Sequence, residues 1–223
     1  MRWGRVGEGV GPVSETGRTS AGKRTKVLLA TTVVLVLGLV TGVLYAFGLP
    51  PFKKVGTIEA ADLCESLGDA TSAAEALKQV VPEESSYSFQ ESSPIVRIGE
   101  VDMNLDLACF VYGSDDQLLS ARTRAMTYTN TDHWVKERVG QLVSMSTLTP
   151  FSAGDRAVAS DKVAAIYLPC RKHAMTDHLS VVIWLKKQGD ASASLVRDGL
   201  IDLAKGMAAY AHTQARCDAP AKL

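Results

Sequence analysis

The sequence predicts an α+β protein: an antiparallel sheet with helices packed mainly on one face, preceded by a single transmembrane helix. Three observations predict it. Residues 27–49, VLLATTVVLVLGLVTGVLYAFGL, carry no charge, and as a helix they would run roughly 34 Å, enough to cross a hydrocarbon core of about 30 Å. From Val101 the apolar period drops to two, with Val101, Met103, Leu105, Leu107, Cys109 and Val111 alternating against Asp102, Asn104, Asp106, Ala108, Phe110 and Tyr112, the pattern of a strand with one face on a core. Elsewhere the period is helical, and strands and helices do not alternate strictly, which argues against a parallel α/β sheet.

The elements follow in order. Residues 1–26 are rich in Gly, Ser, Thr and Arg with no apolar period, the composition of a disordered tail. They hold six basic residues against two acids, leaving eighteen basic residues and twenty-two acids beyond residue 49. That cluster outweighs Lys53 and Lys54 on the far side of the span, so the N-terminus is expected in the cytoplasm and the C-terminal domain outside. A cleaved signal peptide is the rival, through the weak small-x-small site Ala46-Phe47-Gly48. Signal h-regions of about 7–15 residues are shorter than this segment, which favours a retained anchor. Residues 50–56 form a Pro-Pro linker, residues 57–217 the extracellular domain and residues 218–223 a short tail.

Within the domain, Thr57 is expected to cap a helix carrying Ala60, Cys64 and Leu67 on one side and ended by Gly68. Ser72-Ala73-Ala74-Glu75 has the spacing of a capping box, opening a second helix that stops before Pro82. The polar stretch through Ser93 and Pro94 is expected to be a loop. After the Val101 strand, Gly113-Ser114-Asp115-Asp116 turns the chain into a second strand from Leu118 to about Thr129. Thr131 or Asp132 caps a helix with Val135, Val139, Leu142 and Val143 on one face. Residues 163–168 and 179–186 make another strand pair. A final helix over 195–212 aligns Val196, Leu200, Leu203, Met207 and Tyr210.

Candidate sites are few. The overall balance of 24 basic against 24 acidic residues gives no pull toward nucleic acid. Asp102-Met103-Asn104-Leu105-Asp106 opens like a calcium loop but has Leu107 and Gly113 where Gly and Glu are needed. Cys170, His173 and His178 lack a fourth ligand for a structural zinc, and His133 and His212 fall in unrelated helices. No metal or other cofactor is expected. In an exported domain the four cysteines are expected to be oxidised. Of their three pairings, topology favours one: the last helix returns Cys217 to Cys170 at the end of the second hairpin, which leaves Cys64 for Cys109. The two histidines then decorate a hairpin loop.

The helix with DLCESL, the strand with DLACFVY, the strand ending YLPC and the cysteine after the last helix resemble a class of exported domains from high-GC Gram-positive bacteria. That class includes lipoproteins of unknown function and the extracellular sensor domain of membrane Ser/Thr kinases. The resemblance spans roughly residues 57–217 and implies two disulfides and ligand or partner sensing, with no catalytic residue to carry over. The chain departs from the kinases in its short cytoplasmic tail, and from the lipoproteins in lacking a lipobox cysteine.

The function expected is a membrane-tethered extracytoplasmic binding or sensing module without a catalytic site, acting with an envelope protein or a small ligand. An exported envelope hydrolase is the first alternative, although no nucleophile elbow, zincin helix or acid pair is present. The second is a structural subunit of an envelope complex, for which Gly38 and Gly42 supply a small-residue spacing in the helix. If Leu105, Leu107, Val181 and Ile183 face the core, then Phe110, Tyr112, Val182 and Trp184 turn the other way, with Tyr167 joining them if its phase matches. Phe110, Tyr112 and Trp184 are therefore the candidate partner surface. The alternative is that a loop, residues 82–94 or 147–161, covers them as a second small core.

Overall fold

The computed structural model describes residues 21–47, 54–93, 95–98, 101–114, 116–127, 130–172 and 176–223. Residues 1–20 of the tail expected over 1–26, the Pro-Pro exit from the helix and His173 lie outside these residues, while residues 21–26 are helical rather than disordered. So do the side chains of Val101, Asp102, Met103 and Asn104. The chain divides into two compact units, Met1–Lys53 and Lys54–Leu223.

Among its described residues the first unit holds one helix, α1 (Ala21–Ala46), of 26 residues. It starts before the uncharged run and takes in Lys23, Arg24 and Lys26. Among the described residues no helix is long and apolar enough to cross a membrane. The described side chains of α1 begin at Thr32, and residues 27–31 of the predicted span precede them.

The second unit is an antiparallel sheet with helices. Its strands are β1 (Ser88–Ser92), β2 (Ile95–Ile98), β3 (Val101–Tyr112), β4 (Gln117–Met126), β5 (Thr149–Pro150), β6 (Arg156–Ala159), β7 (Val163–Lys172) and β8 (Thr176–Leu185). They run in the order β1-β3-β4-β8-β7-β6-β5, with β2 beside β1 along β3. Two long hairpins, β3–β4 and β7–β8, thus meet edge to edge through β4 and β8, from Leu119 opposite Leu185 to Met126 opposite His178.

Two helices cover one face. α2 (Ala70–Val80) and α4 (Ala193–Gln214) bury Leu77, Val80, Val196, Leu200, Leu203 and Met207 against the odd-numbered residues of β3, β4 and β8 and the even-numbered ones of β7. Leu107, Cys109, Val111, Ala121, Ile166, Leu168, Val181 and Ile183 are all at most 1 % exposed. The helices and turns approach closely because glycine permits it. Gly68 has φ of 90°, and a Cβ on Gly206 of α4 would lie 2.5 Å from the carbonyl oxygen of Leu67.

The local elements depart from expectation in several places. The helix expected from Thr57 is two 3-10 turns, Ala60–Asp62 and Glu65–Leu67, with Leu63 and Cys64 extended between them. That extension carries Cys64 to its bond with Cys109. α2 is capped three residues before Ser72, the expected cap, because the Asp69 carboxylate accepts a hydrogen bond from the Ser72 amide at 2.8 Å. The expected loop before Pro94 contains β1, and residues 147–161 contain β5 and β6.

The helix near residue 131 is also different in kind and in place. It is capped by Asn130, whose side chain accepts from the Asp132 and His133 amides. It makes one α turn, α3 (Thr131–Trp134), and continues as a π turn over Val135–Val139. It packs on the opposite face of the sheet, where Trp134, Val135 and Val139 bury Val158, Val163, Ala165 and Tyr167. The sheet therefore carries helical cover on both faces, with the larger layer on one. The second core is supplied by this segment together with Val158 and Leu148 from residues 147–161, one of the two stretches expected to cover it.

Candidate functional site: a groove on the outer sheet face

The even-numbered residues of β4 and β8 share the face opposite α2 and α4. Register places Ser120 opposite Trp184, Arg122 opposite Val182, and Arg124 opposite Ser180. The α3 segment stands beside these rows and is pinned to them by the Trp134 indole, whose Nε1 donates to Ser180 Oγ at 2.8 Å in a buried bond. Between strand face and helical wall lies a groove of about 280 Å³, lined by Ser120, Arg122, Arg124, Met126, Arg138, Leu142, Ser180, Val182 and Trp184.

The groove is apolar at its floor and basic at its rim. Val182, Met126, Leu142 and Trp184 provide the apolar surface, and three arginines surround it. On β3, Asp106 faces two of them. Its Oδ2 lies 3.0 Å from Arg124 Nε and 3.6 Å from Arg122 Nη2, with both arginine side chains near half exposed. At the far end Lys186 Nζ sits 5.1 Å from the centroid of the Trp184 ring, a cation–π distance. Lys186 also donates to Gln117 Oε1. Among the lining residues the only hydroxyls are those of Ser120 and Ser180, and no carboxylate or imidazole lines the groove.

Of the residues expected on the partner surface, Trp184 and Val182 line this groove, while Phe110 and Tyr112 lie one strand away on β3. Phe110, Tyr112, Val182 and Trp184 are half-buried. Tyr167 has the matching phase, opposite Ser180 on the same face, but it is not part of an open surface. It is fully buried, 5.1 Å between ring centroids from Trp134 and stacked at 4.4 Å on the His178 imidazole. Sequence reasoning missed the three arginines. Their signal was Arg122 and Arg124, two apart on the wet face of a strand, but Arg138 becomes their neighbour only because α3 packs on that face.

His178 does not decorate a loop. It lies within β8, 8 % exposed, and its Nε2 is 3.1 Å from Asp155 Oδ2. Lys222 Nζ reaches the other oxygen of Asp155 at 2.7 Å, and the Lys222 carbonyl accepts from the Gly154 amide at 3.0 Å. Partial burial raises the Asp155 pKa, but the Lys222 and His178 contacts outweigh it and hold the carboxyl below its ordinary range. This cluster fastens the C-terminal residues onto the loop before β6.

The cysteines form Cys64–Cys109 and Cys170–Cys217, closing loops with separations of 45 and 47 residues. Cys170 lies within β7, two residues before its end at the hairpin connection. Among the described residues no three His, Cys, Asp or Glu side chains come together as a metal site. A second depression of about 420 Å³, between α2 and α4, brings Asp69, Glu75 and Asp202 near Lys205 but contains no aromatic side chain. No family model, no curated protein and no solved structure matches the chain.

Proposed function

We propose that the chain is a membrane-tethered extracytoplasmic module that binds a ligand or partner in the groove between β4, β8 and the α3 segment. The observation that carries this reading is the groove itself: a concave, partly apolar surface with convergent cationic groups, on a sheet face that the large helices leave free. Two disulfides in one domain favour an oxidising compartment outside the cytoplasm. The basic cluster before residue 27 and the uncharged run after it favour an anchor with its N-terminus inside. Val33, Leu35, Leu37 and Leu39 of α1 are 50–73 % exposed, an apolar surface that calls for lipid or another helix. The resemblance to exported sensor domains points the same way and supports binding rather than catalysis.

The test is native mass spectrometry of the full chain extracted from its own membranes in a neutral detergent. A bound molecule of defined mass is expected on the wild type and absent from Trp184→Glu, which places a charge on the groove floor. The same adduct on both proteins, or none on the wild type, would overturn binding at this site.

A further inference from the structure

We propose that the groove binds a small, water-soluble phosphomonoester with an apolar, ring-sized body. This rests on the binding reading above and names the chemistry of its ligand. Arg122, Arg124 and Arg138 line a single groove of about 280 Å³. Asp106 is the acid that contacts them, through one oxygen at 3.0 and 3.6 Å, and among the described residues no acid pairs with Arg138. Three guanidinium groups against one carboxylate leave an excess of two positive charges, which a dianion matches.

Geometry narrows the class. Each guanidinium has five N–H donors in a planar fork, and Arg124 directs its Nε to Asp106, leaving the two terminal nitrogens of its fork. Forks of this kind suit the oxygens of a phosphate group. Arg122 and Arg124 approach from the strand and Arg138 from the helical wall, so an anion between them meets donors from two sides. Beside the charged rim lie Val182, Leu142, Met126 and Trp184, a surface for an apolar body adjoining the head. The volume limits that body to about one ring, since ligand pockets for drug-sized molecules run from about 300 to 1,000 Å³.

The experiment is an equilibrium titration of the full chain in a neutral detergent with phenyl phosphate, followed by phosphorus NMR. Saturable binding is expected. Inorganic phosphate, which lacks the ring, and benzyl alcohol, which lacks the charge (followed by its own proton signals), are each expected to bind at least about tenfold more weakly. Arg122→Ala and Arg138→Ala are each expected to weaken phenyl phosphate by about tenfold or more, the effect of losing one charge-assisted contact. Both arginines are at the surface, and an unchanged melting temperature separates lost binding from lost folding. Equal affinity for benzyl alcohol, or no effect of either arginine variant, would overturn the proposal. Displacement of phenyl phosphate by an equal concentration of phosphatidic acid dispersed in the detergent would also overturn it, in favour of a lipid headgroup. If phenyl phosphate fails while the natural adduct persists on the wild type and is lost from Trp184→Glu, the ligand class is wrong and the binding module stands.

Discussion

Tyr167 and Trp184 stand on the same face of the same sheet, one on β7 and one on β8, and meet opposite surroundings. Tyr167 is enclosed by Trp134 and His178, whereas Trp184 is half-buried at the groove. Tyr167→Ala is therefore expected to cost about 3–5 kcal/mol, the range for emptying a large aromatic site. Trp184→Ala is expected to leave the melting temperature nearly unchanged while abolishing retention of the native adduct. A fall of many degrees for Trp184→Ala would place that residue in the core. Asp155 adds a dependence on pH. Because Lys222 and His178 lower its folded pKa against the opposing effect of burial, the unfolded chain takes up the proton first as the solution is acidified. The stabilisation is complete above the ordinary value of 3.8 and is lost as pH falls from there through the lower folded value. Chemical denaturation between pH 5 and pH 2 checks this: the Asp155→Asn variant should show a shallower loss of stability than the wild type. None of these residue environments was legible in the sequence, since Tyr167 and Trp184 differ only in which of them the α3 segment covers.

At the scale of elements, legibility follows burial. β3 was readable because one face lies on the core, so its apolar residues alternate with polar ones. β1, sequence SFQES, was not: it is an edge strand with four of its five residues exposed, so nothing forces alternation. β5 and β6 are short, with two and four residues, too brief for a period to show. The α3 segment was recognised as an apolar helix, but its sequence holds no information on which sheet face it joins. Its cap has consequences for the groove it walls. Asn130→Ala removes the acceptor for two amides, and a cap loss of this kind costs about 1 kcal/mol. Faster hydrogen exchange confined to residues 131–143, with weaker binding at the groove, is the expected outcome. On the other face, Gly206→Ala is expected to destabilise the domain by about 1–3 kcal/mol, since its Cβ would press on the Leu67 carbonyl. An unchanged midpoint in urea would show that α4 can shift at no cost.

At the scale of the whole molecule, the two disulfides hold the ends of the fold to its strands. Cys64–Cys109 ties the first turns to β3, and Cys170–Cys217 ties the chain after α4 to β7. In the chain-entropy model each closed loop of this size is worth about 4 kcal/mol. Replacing Cys170 and Cys217 by alanine together is expected to lower stability by about 2–5 kcal/mol, read from denaturant midpoints under non-reducing conditions. The pairing was legible because the hairpin and the returning helix constrain it. The order of the sheet was not, because a sequence with two hairpins does not state which strands meet between them.

The meeting of β4 with β8 sets a kinetic condition. Each hairpin closes locally, but the middle of the sheet joins strands separated by some sixty residues, a long-range contact that slows folding. Until it forms, each hairpin presents an open edge bearing the apolar residues that later face α2 and α4, and such edges pair readily with other chains. The centre of the finished sheet is thus the place where an unfinished molecule is most exposed to its neighbours. Refolding yield should fall with protein concentration, and a partner that shields strand edges during folding would act on β4 and β8.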